Sequence, residues 1–213
     1  GDCIMAFWNA PLDVEDQRQK AIQTSHDMLD HLKGLNKELE GEGSLPIKIG
    51  IGLNTGEVVV GNMGSDQRFD YSVLGDAVNL AARLEGQSKS YGVEIVLGED
   101  TATDMDNRFA MIELDKIAVK GKTDAVKIYT TLGEYNIVNN TMNWVMPANQ
   151  HEKFLKFYRN KNWTLALKWA NDLRNEFNGM LSGYYDMMIN RIEELQGADL
   201  PDDWDGVYRA TSK

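Results

Sequence analysis

The sequence predicts an α+β fold, because helix-like and strand-like patterns are mixed along the chain without strict strand–helix alternation. Two segments, 14–39 and 76–88, place apolar residues at helical spacing on one face. Short apolar or alternating runs of strand length lie between and after these segments, and turn-forming residues separate them. Further helical patterns follow residue 149, so we expect helices at the C-terminal end.

The predicted elements begin with a strand at the N-terminus, followed by a long helix. Residues 3–8 are an apolar run entered from a Gly1-Asp2 turn, which predicts a strand whose partner strand is absent. We therefore expect the chain to be the C-terminal part of a longer protein. The helix over 14–39 is closed by glycines at 41 and 43. The remaining predicted elements are strands at 47–53, 58–60, 69–74, 93–97, 112–119 and 126–132, a Gly-rich turn at 61–66, a helix at 76–88 with Asp76 as its N-cap, and a short helix at 99–105.

Length and composition exclude several classes of protein. A chain of 213 residues allows one domain, or one domain with a small appendage. Its 42% hydrophobic content argues against disorder as the main state, and its net charge of −11 argues against a nucleic-acid partner. A single cysteine cannot form an internal disulfide, and no run of 18 apolar residues predicts a membrane span.

The composition changes near residue 134, which predicts a domain boundary. Residues 1–133 hold the mixed elements, and the Asn-rich stretch 134–149 is predicted to be a linker. Residues 150–213 contain helical patterns at about 150–160, 163–177 and 180–196. Small residues four apart in the second of these allow close helix packing, as in tetratricopeptide repeats, but a helical cap on the main domain is the favoured interpretation.

Several residues have side chains suited to phosphate or metal chemistry, although each also has a plainer explanation. Asp2 could ligate Mg²⁺, which takes one or two carboxylates plus phosphate oxygens, or could simply form a turn. Asn79 and Arg83 share a helix face and suit an anion, but such a pair also occurs on ordinary solvated helices. Lys120 and Lys122 flank a glycine, which fits either a phosphate clamp or a basic hairpin turn.

Taken together and in this order, these stretches resemble the catalytic domain of the class III nucleotidyl cyclases, the adenylate and guanylate cyclase family, and most closely its bacterial adenylate cyclases. The resemblance covers residues 1 to about 133 and makes the functional reading of Asn79, Arg83 and Lys120 the leading one. The matching stretches are GDCIMAFWNAP at 1–11, IGIGLNTGEVVVGN at 49–62, YSVLGDAVNLAARL at 71–84 and VKGK at 119–122.

The resemblance implies a ferredoxin-like, palm-related α+β fold that lacks its first strand and helices here. It also implies a head-to-tail homodimer with two Mg²⁺ or Mn²⁺ ions at each interfacial site. Asp2 matches the second of two metal-binding carboxylates, and the first would lie upstream of residue 1. From the partner protomer, Asn79 would orient the ribose and Arg83 would stabilise charge at the α-phosphate. Lys120 would hold the terminal phosphates.

Ser72 falls where the family reads the nucleotide base, and serine there resembles a bicarbonate-responsive subgroup that uses ATP. The expected activity is therefore adenylate cyclase, converting ATP to 3′,5′-cyclic AMP and pyrophosphate in signal transduction. A guanylate cyclase and a non-catalytic nucleotide-binding module remain alternatives. We expect residues 1–213 alone to be inactive. The helices after residue 136 resemble an extension of membrane-bound bacterial cyclases, so we expect a cytoplasmic domain with a membrane or sensor region upstream.

Overall fold

The computed structural model describes residues 2–65, 68–118, 125–201 and 203–208. It forms a four-stranded sheet, a separate two-stranded ribbon and seven labelled helices within those ranges. In chain order these elements are α1 (Gln17–Gly41), β1 (Ile51–Leu53), β2 (Val59–Ser65), β3 (Arg68–Leu74), α2 (Asp76–Tyr91), β4 (Ile95–Gly98), α3 (Glu99–Ala102), β5 (Phe109–Ile117), β6 (Val126–Glu134), α4 (Tyr135–Thr141), α5 (Val145–Arg159), α6 (Trp163–Leu173) and α7 (Ser182–Gln196).

The four-stranded sheet has the order β1-β4-β6-β5, and it mixes parallel and antiparallel pairs. β1 runs parallel to β4, with Ile51 opposite Ile95. β6 is antiparallel to both β4 and β5. β2 and β3 form the ribbon, which is antiparallel over seven pairs from Val59–Leu74 to Ser65–Arg68. This arrangement confirms the predicted α+β class.

Both faces of the sheet are covered, so its central strands alternate between two apolar clusters. In β4, Ile95 and Leu97 pack with residues of α1, whereas Val96 between them packs with α2 and the C-terminal helices. This alternation follows from the two-residue period of a strand. The larger cluster joins the sheet to α5, α6 and α7, because it contains Leu114 and Ile128 together with side chains of those three helices.

The stretch 134–149, which the sequence predicts to be a linker, is mostly helical. It forms α4 and the start of α5. Val138 and Trp144 are buried in the larger cluster, and Pro147 is buried in the first turn of α5. Burial of these apolar side chains outweighs the weak helix propensity of the surrounding asparagines. The three later helices lie close to their predicted positions.

Three local predictions of secondary structure are wrong. Residues 3–8 form no strand: the backbone makes no ladder there, and the side chains of residues 2–6 are exposed. The segment Gly61–Ser65, expected to be a turn, lies within β2, because it continues the pairing with β3. Asp76 is the first residue of α2, and Gly75 occupies the N-cap position. None of the described helices has both the length and the apolar character needed to cross a bilayer.

Candidate active site

Helix α2 carries Asn79 and Arg83 on its exposed side. Its buried side is formed by Leu80 and Leu84, which lie one position further along and pack into the larger cluster. Since residues four apart on a helix are neighbours, the Asn79 amide and the Arg83 guanidinium lie one above the other. The structure therefore brings together two of the predicted site residues on one surface.

The start of α2 is held by the segment that follows β1. The side-chain amide of Asn54 donates to the carbonyl oxygen of Ala77 at 3.1 Å. The hydroxyls of Thr55 and Thr101 are 2.9 Å apart, which ties the same segment to α3. A Cβ at Gly56 would lie 2.7 Å from the Cβ of Ala77, so the backbone approaches the helix as closely as only glycine allows. The sequence motif around residues 50–56 thus positions α2.

Ser72 lies on β3 opposite Gly61 and is half-buried. The N-terminal segment reaches the same strand, because the rings of Phe7 and Tyr71 lie 6.0 Å apart. Asp2, at the start of that segment, is exposed. The N-terminal segment and β3 are therefore neighbours.

Lys120 lies outside the described residues, so the structure does not place it. The strands on either side of it are described: Ile117 at the end of β5 pairs with Val126 at the start of β6. In the sequence, Lys120 therefore belongs to the connection between the paired ends of β5 and β6.

The donor set for a divalent metal is incomplete within the part of the chain that is described. Asp2 offers an exposed carboxylate, the ligand type that Mg²⁺ prefers. No group of three or more His, Cys, Asp or Glu side chains that could hold an ion occurs among the described residues. Asp2 by itself supplies one carboxylate, so a metal ion at this position would need further oxygen ligands.

A half-open cavity of about 520 Å³ lies elsewhere, between α1, the end of β6 and α4. Its described lining includes His26, Asp30, Lys33 and Glu134, and none of the predicted site residues. Burial lowers the pKa of His26, and the nearby Asp30 carboxylate opposes that effect. The cavity is therefore separate from the exposed face of α2.

A buried polar network was missed at the sequence level. Asp115 on β5 is fully buried and accepts hydrogen bonds from the Tyr91 hydroxyl at 2.7 Å and the Arg191 guanidinium at 2.5 Å. The sequence signal was the presence of charged residues, among them Glu113 and Asp115, in a strand that is otherwise apolar. That signal does not identify Arg191, which lies 76 residues further along the chain.

Comparison with known families identifies the fold. The family model described as the adenylate and guanylate cyclase catalytic domain matches residues 1–133. Adenylate cyclase 1 of Rhizobium meliloti (strain 1021) is 30% identical over 141 residues, which cover 66% of this chain and 21% of that protein. The adenylate cyclase of Anabaena cylindrica is 36% identical over 136 residues, covering 61% of this chain and 26% of that protein. The chain thus corresponds to about a fifth to a quarter of these two relatives.

Solved cyclase structures share the architecture. The crystal structure of the guanylyl cyclase Cya2 is 34% identical and gives a TM-score of 0.53, covering 61% of this chain and 66% of that one. The catalytic core of a rhodopsin-guanylyl cyclase with converted specificity, in complex with ATPalphaS, is 26% identical with a TM-score of 0.50, covering 59% of this chain and 64% of that one. The family match spans more than half of the chain and confirms the resemblance and the fold seen in the sequence. The chain therefore belongs to the adenylate and guanylate cyclase catalytic domain family.

Proposed function

We propose that the protein is an adenylate cyclase that converts ATP to 3′,5′-cyclic AMP and pyrophosphate at the interface of a homodimer. The observation that carries the proposal is the pair Asn79 and Arg83, exposed one turn apart on α2 within the segment that matches the cyclase family. An amide beside a guanidinium suits a ribose next to a phosphate, because the guanidinium supplies a permanent charge and several donors.

In the proposed reaction the ribose 3′-hydroxyl attacks the α-phosphorus. The new O3′–P bond forms as the bond from the α-phosphorus to pyrophosphate breaks, and the hydroxyl proton passes to water. No protein nucleophile is needed. Asn79 orients the ribose, and Arg83 stabilises the charge that grows on the α-phosphoryl oxygens. Lys120 binds the terminal phosphates, and Ser72 contacts the base. Two Mg²⁺ or Mn²⁺ ions, with Asp2 among their ligands, would supply charge neutralisation and increase the acidity of the hydroxyl.

Exposed apolar side chains on the β2–β3 ribbon support the proposed homodimer. Val59 and Leu74 are cross-strand partners, yet they are 68% and 59% exposed. Tyr71 on the same ribbon is 49% exposed. Apolar residues grouped on a two-stranded ribbon are typical of a surface that is covered by another protein. A head-to-tail dimer would combine Asp2 of one protomer with the α2 residues of its partner.

A guanylate cyclase is the second candidate, and it is favoured by the structural match to the guanylyl cyclase Cya2. Ser72 can donate or accept a hydrogen bond, so its chemistry alone does not choose between adenine and guanine. We prefer ATP because both of the curated relatives described above are named adenylate cyclases.

For the organisation of the chain we propose a cyclase domain over 1–133, a connecting region over 134–149 and a helical extension over 150–213. We also propose that the domain works on the cytoplasmic side, where its nucleotide substrate is present.

The test uses the full-length protein with Mg²⁺ or Mn²⁺, supplied separately with ATP and with GTP, and quantifies both cyclic nucleotides. We expect cyclic AMP from ATP. Arg83→Ala should lower kcat by about 10²–10³, the typical effect of removing a group that stabilises transition-state charge. Asn79→Ala and Lys120→Ala should also reduce turnover strongly. Lys89→Ala is the matched control, because Lys89 is an exposed cation in the last turn of the same helix.

The outcomes separate the candidates. Cyclic GMP from GTP, with little product from ATP, would replace the first candidate by the second. Absence of product from either nucleotide in a folded, dimeric protein would favour a non-catalytic nucleotide-binding module. Wild-type turnover in all three site variants would refute the assigned roles.

A further inference from the structure

The side chain of Asn54, which follows β1, lies between the sheet and the first turn of α2. It is half-buried. On the sheet side, its Oδ1 fills the space that a Cβ at Gly98, the last residue of β4, would need. On the helix side, its Nδ2 donates to the carbonyl oxygen of Ala77 at 3.1 Å. One amide group therefore joins the end of β4 to the start of α2.

The first turn of α2 has no side-chain cap of its own. Gly75 occupies the N-cap position, and no side-chain hydrogen bond caps the helix there. The backbone N–H groups of Val78 and Asn79 both donate to the Gly75 carbonyl oxygen, at 3.1 Å and 3.3 Å, so Asn79 belongs to this first turn. A helical carbonyl has a second lone pair besides the one used within the helix, and at Ala77 this lone pair is available to Asn54. The hydrogen bond from Asn54 therefore holds the turn from outside the helix.

The segment that carries Asn54 is itself held in place. The next residue, Thr55, has its hydroxyl 2.9 Å from that of Thr101 in α3, and Thr101 is buried. At Gly56 the backbone lies against Ala77, because a Cβ at Gly56 would be 2.7 Å from the Ala77 Cβ. Since residues 54–56 are tied to α3, the Asn54 amide is a fixed point against which α2 is set.

We propose that Asn54 is a positioning residue for the candidate active site, which fixes Asn79 and Arg83 through the first turn of α2. This inference rests on the proposed function, since it needs those two side chains to act on the nucleotide. Ala77 precedes Asn79 by two residues and Arg83 by six on one continuous helix, so a shift of the first turn moves both side chains. A misplacement of about 1 Å can cost about a hundredfold in rate. The loss should appear in kcat, because the proposed role of Arg83 is to stabilise charge that develops in the transition state.

The test uses the full-length protein and measures kcat and KM for ATP with Mg²⁺, together with the melting temperature of each variant. Asn54→Ala removes the amide, whereas Asn54→Asp keeps its size but has no N–H to donate to a carbonyl oxygen. Each substitution is also combined with Asn79→Ala and with Arg83→Ala. Asn36→Ala is the matched control, because Asn36 also donates to a backbone carbonyl oxygen, that of Ile47 at 2.8 Å, but lies on α1.

We expect Asn54→Ala and Asn54→Asp to lower kcat by about tenfold to a hundredfold and to change KM for ATP by less than about threefold. In the Asn79→Ala and Arg83→Ala backgrounds the further loss should be smaller, because residues that act through one another are not additive. Asn36→Ala should keep the wild-type kcat even where it lowers the melting temperature. A wild-type kcat in folded Asn54 variants, or an equal loss with and without Asn79 and Arg83, would overturn the inference.

Gly98→Ala tests the same contact from the sheet side. The φ of Gly98 is −72°, which alanine adopts without strain, but the new Cβ would take the space of the Asn54 Oδ1. We expect Gly98→Ala to lower kcat, and to cause less additional loss in Asn54→Ala, where that space is free. Full additivity of the two substitutions would contradict the inference. If neither Asn54 variant folds, Gly98→Ala decides alone, and a wild-type kcat for it would refute the role of Asn54.

Failure of the proposed function gives a different result. If the protein forms no cyclic nucleotide, or if Asn79→Ala and Arg83→Ala keep wild-type turnover, the proposed roles are refuted and this inference is refuted with them. If those two variants lower turnover but the Asn54 variants do not, the assignment of Asn79 and Arg83 survives and only the role of Asn54 is refuted.

Discussion

Protonation of His151 should make the protein less stable in mild acid. The imidazole is fully buried against β5, and burial lowers its pKa from 6.5 to about 4. A carbonyl oxygen can only accept, so Nε2 carries the proton and donates to Glu113, while Nδ1 accepts from the Tyr185 hydroxyl at 2.8 Å. The folded protein therefore needs the neutral ring.

The size of the effect follows from linkage between protonation and folding. Below pH 6.5 the unfolded chain binds a proton at His151 that the folded chain does not bind until about pH 4. The contribution of His151 to stability is therefore fully present above pH 6.5 and is lost as the pH drops towards 4. The whole difference in pKa corresponds to about 3 kcal/mol, of which about 2 kcal/mol is lost between pH 7.5 and pH 5.

The assay is urea unfolding at pH 7.5, 6.5 and 5.0, at one protein concentration. We compare the wild type with His151→Gln and with Lys153→Gln, an exposed substitution on the same helix. Loss of the buried hydrogen bonds should lower the free energy of unfolding of His151→Gln at every pH by about 1–3 kcal/mol. Between pH 7.5 and 5.0, the free energy of unfolding of His151→Gln should fall by about 2 kcal/mol less than that of the wild type and the control.

Equal pH dependence in wild type and His151→Gln would refute the reasoning. An NMR titration of the imidazole in the wild type gives an independent check that does not need the variant to fold. A ring that titrates near 6.5 in the folded protein would show that His151 is not held neutral by burial.

Three further predictions concern packing and assembly. Gly52→Ala should destabilise the protein and reduce activity, because the new Cβ would lie 2.2 Å from the Glu85 backbone nitrogen and displace α2. An unchanged melting temperature would contradict this prediction. Gly34→Ala, in an open helical position, should instead raise the free energy of unfolding by about 0.5–1 kcal/mol, and a lower melting temperature would count against it. Leu74→Asp, on the exposed ribbon, should shift the protein towards monomer in analytical ultracentrifugation and should also reduce turnover. A fully dimeric variant would argue against the ribbon as the dimer surface.

Local patterns were enough to predict the long helices α1, α2, α5, α6 and α7, and to place Asn79 and Arg83 on one helix face. The sequence of α2, which begins at Asp76, has apolar residues at helical spacing. That spacing places Asn79 and Arg83 together on the opposite, polar side of the helix. The same holds for α5, α6 and α7, whose buried faces follow the 3.6-residue period.

Elements whose conformation depends on distant partners could not be predicted in this way. The Asn-rich stretch 134–149 became helical because Val138 and Trp144 find a core built partly by the C-terminal helices. Gly61–Ser65 became strand because β3 pairs with it throughout, and residues 3–8 did not because no ladder forms there.

By itself the sequence determined the family, the α+β class and the candidate residues, because these depend on motifs and short periodicities. Tertiary structure alone decided how β5 is held. Strand periodicity puts Glu113 and Asp115 on one face, but in the structure the extra residue Leu114 lies between their pairing positions on β6. Glu113 is bound by Arg159, and the buried Asp115 is bound by Arg191. Those partners lie far along the chain, and a buried charge is satisfied by whatever the fold brings next to it, which no local pattern records.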